Sequence, residues 1–256
     1  MGSYPSAEGA GRLNPTIPID QSIYEESTTQ KAALGTKLEL GDRVFRYAKA
    51  GTGQLGAKAG RLACVVSAPA THGGTFASFA TATTGATVIY GTLGATVGLV
   101  NTYAEGLIVF GGGTRAGETY KIKSHTLGDA STGLTNIAFT LYDPIIGTLT
   151  ATSLGALQLN RYNVAVRTAA TAGDIVGVPL IDVTEGNYFW LQTKGVAPVI
   201  AASAVGASIA CIIGTTGTIN SAALSLTSGA ADIIVGRTGL EAAVAAKATP
   251  VILMLE

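Results

Sequence analysis

Polar and apolar positions alternate with a period of two at several separated points of the chain. That period belongs to strands, whose successive side chains point to opposite faces. Lys37-Leu38-Glu39-Leu40 is the first such run, Gly41-Asp42 offers a tight turn, and Arg43-Val44-Phe45-Arg46-Tyr47 completes a predicted β-hairpin. Alternation returns at Tyr120-Lys121-Ile122-Lys123 and at Ile137-Ala138-Phe139-Thr140-Leu141. In the latter, Ile137, Phe139 and Leu141 share a face and Asp143-Pro144 ends the strand. Further strands are expected at 164–167, 175–183, 188–193, 199–204, 209–213, 233–235 and 251–255, short runs separated by Gly, Asn, Asp and Thr. Leu240 to Lys247 alone reads as helix, two turns at most. The pattern predicts an all-β fold, a β-sandwich or barrel-like domain or domains with very little helix. No fixed-period repeat is visible.

The densest aromatic cluster is Tyr188-Phe189-Trp190-Leu191, where alternation sends Tyr188 and Trp190 to one face and Phe189 and Leu191 to the other. A strand apolar on both faces is either central in a sandwich or buried at a subunit contact, so Trp190 reads first as a core residue, with an interface residue as the alternative.

Residues 1–35 differ from the rest of the chain. Pro5, Pro15, Pro18 and several glycines precede the polar stretch Tyr24 to Lys31, a composition that suits an extended N-terminal arm better than a packed core. Tyr4, Ile17, Ile19, Ile23 and Tyr24 give this arm apolar anchors that a plain linker does not need. The expectation is an arm that leaves its own domain and lies on a neighbouring subunit. Residues 36–256 form the β-rich remainder, as one unit or as two subdomains dividing near 105–118.

Composition narrows the function. Lys+Arg and Asp+Glu balance at 16 each, without the basic excess that counterion release needs, so no nucleic-acid partner is expected. Charged residues are 12% of the chain, about half the usual share of roughly 25%. From Leu62 to Ala104 and from Gly195 to Ala231 there is no Asp, Glu, Lys or Arg, which favours a surface covered by other subunits. Val196 to Ile213 is long and uncharged enough to be weighed as a membrane span, but Pro198, Gly206, Gly214 and the Ala/Ser content oppose it, and no membrane partner is expected. No secretory signal pattern opens the chain. Cys64 and Cys211 each sit in an apolar run and read as buried free thiols, which fits folding in a reducing place.

Candidate chemistry is thin. Gly51-Thr52-Gly53-Gln54-Leu55-Gly56 spells G-x-G-x-x-G, but no helix pattern follows and the next acidic residue is Glu105. A dinucleotide site needs both features nearby, so a turn between strands is the better reading. Gly111-Gly112-Gly113-Thr114-Arg115 lacks a Walker lysine and reads as strand, turn, strand. The two histidines, His72 and His125, have no partners at ligand spacing, and no serine elbow exists. Glu25/Glu26 and the set Asp174, Asp182, Glu185 read as solvated residues rather than a glycosidase pair or a calcium loop. The expectation is a protein with no catalytic, cofactor or metal residues.

Four stretches together carry a resemblance: Gly173-Asp174-Ile175-Val176-Gly177-Val178, Gly186 to Gln192, Ile233 to Arg237 leading into Leu240-Glu241-Ala242-Ala243, and Val251 to Leu255. With the segment Leu38 to Lys49, they resemble tailed-bacteriophage virion proteins, most of all the head-decoration or capsid cement proteins. The resemblance implies a structural protein without catalysis, made in the host cytoplasm and seated on the capsid surface of the virion. It implies a homo-oligomer, often a trimer, that binds the major capsid protein or other virion subunits and stabilises the lattice. The chain is longer than simple decoration proteins. Two rival readings are a tail-tube or connector subunit and a tail-associated carbohydrate-binding protein. A main shell protein is disfavoured because its long amphipathic spine helix has no counterpart here.

Overall fold

A computed structural model describes residues 20–51, 57–65, 72, 77–92, 99–128, 137–166, 174–222 and 234–256. Two compact units emerge, residues 1–66 with 162–256 and residues 67–161. The first unit begins with β1 (Lys37–Leu40), β2 (Arg43–Ala50) and β3 (Ala63–Val65). The second holds β4 (Ala77–Phe79), β5 (Val88–Thr92), β6 (Leu107–Gly112), β7 (Thr119–His125), β8 (Ile137–Leu141) and β9 (Leu154–Gln158). The chain then returns to the first unit with β10 (Asn163–Val166), β11 (Ile175–Pro179), β12 (Tyr188–Ile200), β13 (Ala210–Ile213), β14 (Ile219–Ser221), β15 (Ile234–Thr238) and β16 (Ala248–Met254). Helix among the described residues amounts to little more than one 3-10 turn, Thr215–Gly217. The all-β expectation is met.

In the first unit β2, β10, β3, β11 and β12 pair in that order, and β12 pairs again with β2, closing a ring. Its interior is narrow, and small residues make room for large ones: Ala48, Ala50 and Ala63 lie with Val164, Val176, Phe189 and Leu191. Beyond the ring, β12 runs on to pair with β16, then β15, β13 and β14 follow. Here Ala197, Val199, Cys211, Ile219, Val235, Val251 and Leu253 bury a second core. The Ala202 N–H donates to the Ile219 carbonyl at 2.9 Å, tying the chain just after β12 to β14.

β12 serves both cores by changing partner midway. Tyr188 to Lys194 pair with β2, with the register shifting between Gln192 and Lys194, and Lys194 to Ile200 pair with β16. A bulge turns carbonyls out of the ladder, and the buried Gln192 side chain satisfies two of them, its Nε2 donating to Lys194 O at 3.0 Å and Val196 O at 2.9 Å. Gly195 follows at φ +84, and a β-carbon there would stand 2.6 Å from the Asp42 carbonyl oxygen. Only glycine fits this bend without strain.

In the second unit β4, β5, β8, β7, β6 and β9 close a barrel in that order. Alternation fills it: Ile137, Phe139 and Leu141 are buried on β8, as expected, with Phe79, Ile89, Ile108, Phe110 and Ile122. Phe79 meets Phe110 edge-on at 5.0 Å, a favoured aromatic geometry.

Two expectations change. The region 105–118 is no boundary, since β6 and β7 pair across it as one hairpin of the barrel; the units part at 66/67 and 161/162. Residues 240–247 are not helical: Ala243 exchanges hydrogen bonds with Val205, pinning the middle of the segment into an extended bridge. Both cysteines are buried and outside any disulfide, in line with their apolar surroundings in the sequence, whereas the G-x-G-x-x-G segment falls mostly outside the described residues. No helix among the described residues is long and apolar enough to cross a membrane.

The bend yields a comparison. Gly195→Ala is expected to cost about 1–3 kcal/mol in urea unfolding, because strain and clash combine. Gly41→Ala, also at positive φ but with nothing within 4 Å, is expected to cost about 1 kcal/mol. Equal effects at the two sites contradict the role given to Gly195.

Candidate interaction surfaces and the buried histidines

The residues expected to form an interface separate into two places. Residues 20–36, assigned to an arm reaching a neighbour, fold back onto the outer face of β2 and β12 of their own chain. Ile23 packs with Phe45, Tyr47 and Trp190, and all four are buried. Gln21 holds the junction. Its Nε2 donates to the carbonyls of Glu25 and Tyr188, each at 2.9 Å; its Oε1 accepts the Tyr47 hydroxyl at 2.8 Å, and its own carbonyl accepts the Trp190 indole N–H at 3.1 Å. Ser27 and Tyr188 exchange backbone bonds at 2.9 and 2.8 Å, and the Lys31 N–H donates to the Tyr47 hydroxyl at 3.1 Å. Glu26 accepts the N–H and hydroxyl of Thr184, and the backbone bond is the main reason its carboxyl sits below the usual range.

Trp190 is therefore a core residue, as the first of its two readings had it, and its cover is the chain's own residues 21–23 rather than the subunit contact of the alternative reading. The short tether explains the difference. Residue 36 enters β1 directly, and the β1–β2 hairpin returns the chain beside β12, so the apolar anchors meet their own sheet before any other surface. Tyr24 stays exposed at 60%. Tyr4, Ile17 and Ile19 lie outside the described residues.

A surface that alternation did not single out lies on the other strands of the same unit. On β12 and β16 the outward positions pair as Lys194 with Met254, Val196 with Ile252, and Pro198 with Pro250. Met254 is 64% exposed and Val196 46%. On β15, Arg237 stands opposite Ile252, and a register shift turns Val235 inward and leaves Ile234 out, beside Ile212. The result is a sheet face of aliphatic and proline side chains with Lys194 and Arg237 as its charges. The signal was present in the charge-free run from Gly195 to Ala231 and in Pro250 to Met254, but which side each residue faced required the bulges.

The histidines come together inside the second unit. His72 Nδ1 and the Tyr103 hydroxyl are 2.5 Å apart, and the Tyr103 N–H donates to His125 Nε2 at 2.9 Å. All three are buried. Burial pushes the Tyr103 phenol far up and the His125 imidazole down from their ordinary values. The sequence separated these residues, and the barrel joins them through Tyr103. Asp182, by contrast, stays in a solvated turn, paired with Lys58 and accepting the Ala59 N–H. Among the described residues no three His, Cys, Asp or Glu gather as a metal site.

No family model, curated protein or solved structure matches the chain.

The docked segment makes a clear forecast. Deleting residues 1–31 exposes Trp190 and Tyr47, so the emission of the single tryptophan is expected to shift to the red and the unfolding midpoint to fall. Ile23→Ala is expected to cost about 2–4 kcal/mol by cavity formation. A 1–31 deletion with wild-type emission and stability contradicts the docking.

Proposed function

We propose that the chain is a structural subunit of a virus particle, of the head-decoration type, which acts by binding copies of itself and the shell proteins of the capsid lattice. The observation that carries this reading is the outward face of β12, β16 and β15. An apolar sheet face left in water costs solubility unless a partner covers it, and such faces mark interaction sites. Its aliphatic and proline composition, with charge held to Lys194 and Arg237, matches the centre of an interface, where charged residues are depleted. The balanced net charge and low charge content support association with protein rather than nucleic acid.

A binding role, not a catalytic one, is proposed. Both histidines are engaged in hydrogen bonds within the barrel, and the polar groups of Gln21, Tyr47 and Trp190 are spent on docking the chain to itself. Two buried cysteines that form no disulfide fit synthesis in the host cytoplasm. The rival roles of tail-tube or connector subunit need a self-associating face as well; a carbohydrate-binding role does not.

Sedimentation tests the reading. The purified chain is expected to form oligomers at micromolar concentration, and Val196→Glu combined with Ile252→Glu is expected to weaken association at least about tenfold. The circular dichroism spectrum should stay the same, since both positions face outward. A chain that stays monomeric throughout, or oligomers indifferent to the double substitution, contradicts the assignment of this face.

A further inference from the structure

The segment 99–106, between β5 and β6, is held to β7 by backbone bonds, among them Ile122 N–H to the Gly106 carbonyl at 2.9 Å, and by one bond to an imidazole at its buried middle. Tyr103 is fully buried, with its ring 5.7 Å from both His72 and His125. The His125 backbone N–H donates to Asn101 Oδ1 at 2.8 Å, the His125 carbonyl accepts the Asn101 N–H at 3.3 Å, and His125 Nε2 accepts the Tyr103 N–H at 2.9 Å. Further along the segment, the Glu105 N–H donates to the Ile122 carbonyl at 2.8 Å.

These bonds fix the protonation of the ring. Nε2 must be bare to accept an amide N–H, so Nδ1 carries the proton and donates to the Thr126 carbonyl at 2.7 Å. The neutral ring is thereby satisfied at both nitrogens. A second proton, taken up from solvent, must sit on Nε2 and would point at the Tyr103 N–H, donor against donor.

We propose that His125 is an acid-sensitive latch: a proton on Nε2 breaks the bond to the Tyr103 amide and loosens segment 99–106 on β7, while the first unit stays folded.

The surroundings of the ring favour release over accommodation. The groups packed on it are His72, from the segment before β4, Tyr103 and Asn101 from segment 99–106, and Phe139 from β8, whose ring is 5.6 Å away. Glu105 is half-buried on the segment, and Lys123 is exposed two residues along β7. Burial is the largest influence holding His125 below its ordinary value, the Thr126 carbonyl opposes it, and His72 lowers it further. A histidine depressed on folding stabilises the native state fully above its unfolded value of about 6.5. That stabilisation is lost progressively as pH falls below this value toward the folded one.

Hydrogen exchange of the full chain, corrected for intrinsic rates, between about pH 7.5 and about pH 5 tests the latch. Protection of the Tyr103 and Glu105 amides is expected to fall at least about tenfold across this range, with Trp190 emission unchanged. In His125→Gln, whose carbonyl replaces Nε2 as an acceptor that does not titrate, the fall is expected to vanish. Flat protection in the wild type, or an equal fall in His125→Gln, overturns the proposal. Should the variant not fold, the imidazole signals of the wild type decide. If His125 titrates together with loss of the Tyr103 and Glu105 amide signals, the latch stands; if it titrates with those signals intact, the latch is refuted.

Discussion

The first unit depends on one strand being used twice. Up to Lys194 β12 belongs to a closed ring with β2 and β11, and from Lys194 onward it belongs to the sheet with β16. The change of partner coincides with a register shift between Gln192 and Lys194, a local irregularity that re-aims the strand. The bulge near Gln192 supplies the irregularity, the Gln192 amide satisfies the carbonyls it turns out, and Gly195 permits the bend. Both apolar cores and the exposed sheet face follow from it. Phe189 and Leu191 point into the ring, Ala197 and Val199 into the second core, and Val196 and Pro198 to solvent.

The same strand explains the fate of the N-terminal segment. Tyr188 and Trp190 lie on the face of β12 turned away from the ring, and with Tyr47 they form an aromatic surface that water would otherwise cover. Ile23 buries against it and Gln21 meets its polar atoms. The hydrogen bonds matter as much as the apolar area, because a buried indole N–H or phenol without a partner costs about 1–3 kcal/mol. The segment whose composition suits an arm for a neighbour is, over residues 20–36, the lid of the chain's own core.

Legibility in the sequence followed local regularity. The strand at 137–141 and the first arm of the hairpin at 37–47 were readable because one face of each is more buried than the other, so period two appears directly; the second arm, β2, is buried on both faces and was readable from its residue alternation and the Gly41-Asp42 turn. The opposite facing of Trp190 and Phe189 follows from strand geometry alone, since both faces of β12 are buried there. Strands β3, β4, β5, β9 and β14 were not. They are short or rich in Ala, Gly, Ser and Thr, residues whose burial depends on partners far along the chain. Leu240 to Lys247 mimicked a helix because its alanines favour one, and two bonds between Ala243 and Val205 overrode that preference. The outward face of β12, β16 and β15 depends on bulges that no residue type announces. The His72, Tyr103 and His125 cluster depends on barrel closure, which brings together positions 31 and 22 residues apart.

An outer sheet face of this composition is, on the proposed function, built to be covered within a particle. Cryo-electron microscopy of intact particles carrying this chain tests that most directly. Density for the two units on the outside of the head, with β12, β16 and β15 turned toward a neighbouring subunit, is the predicted result. Density along the tail, or a head-bound chain whose apolar sheet face points into solvent, would contradict it.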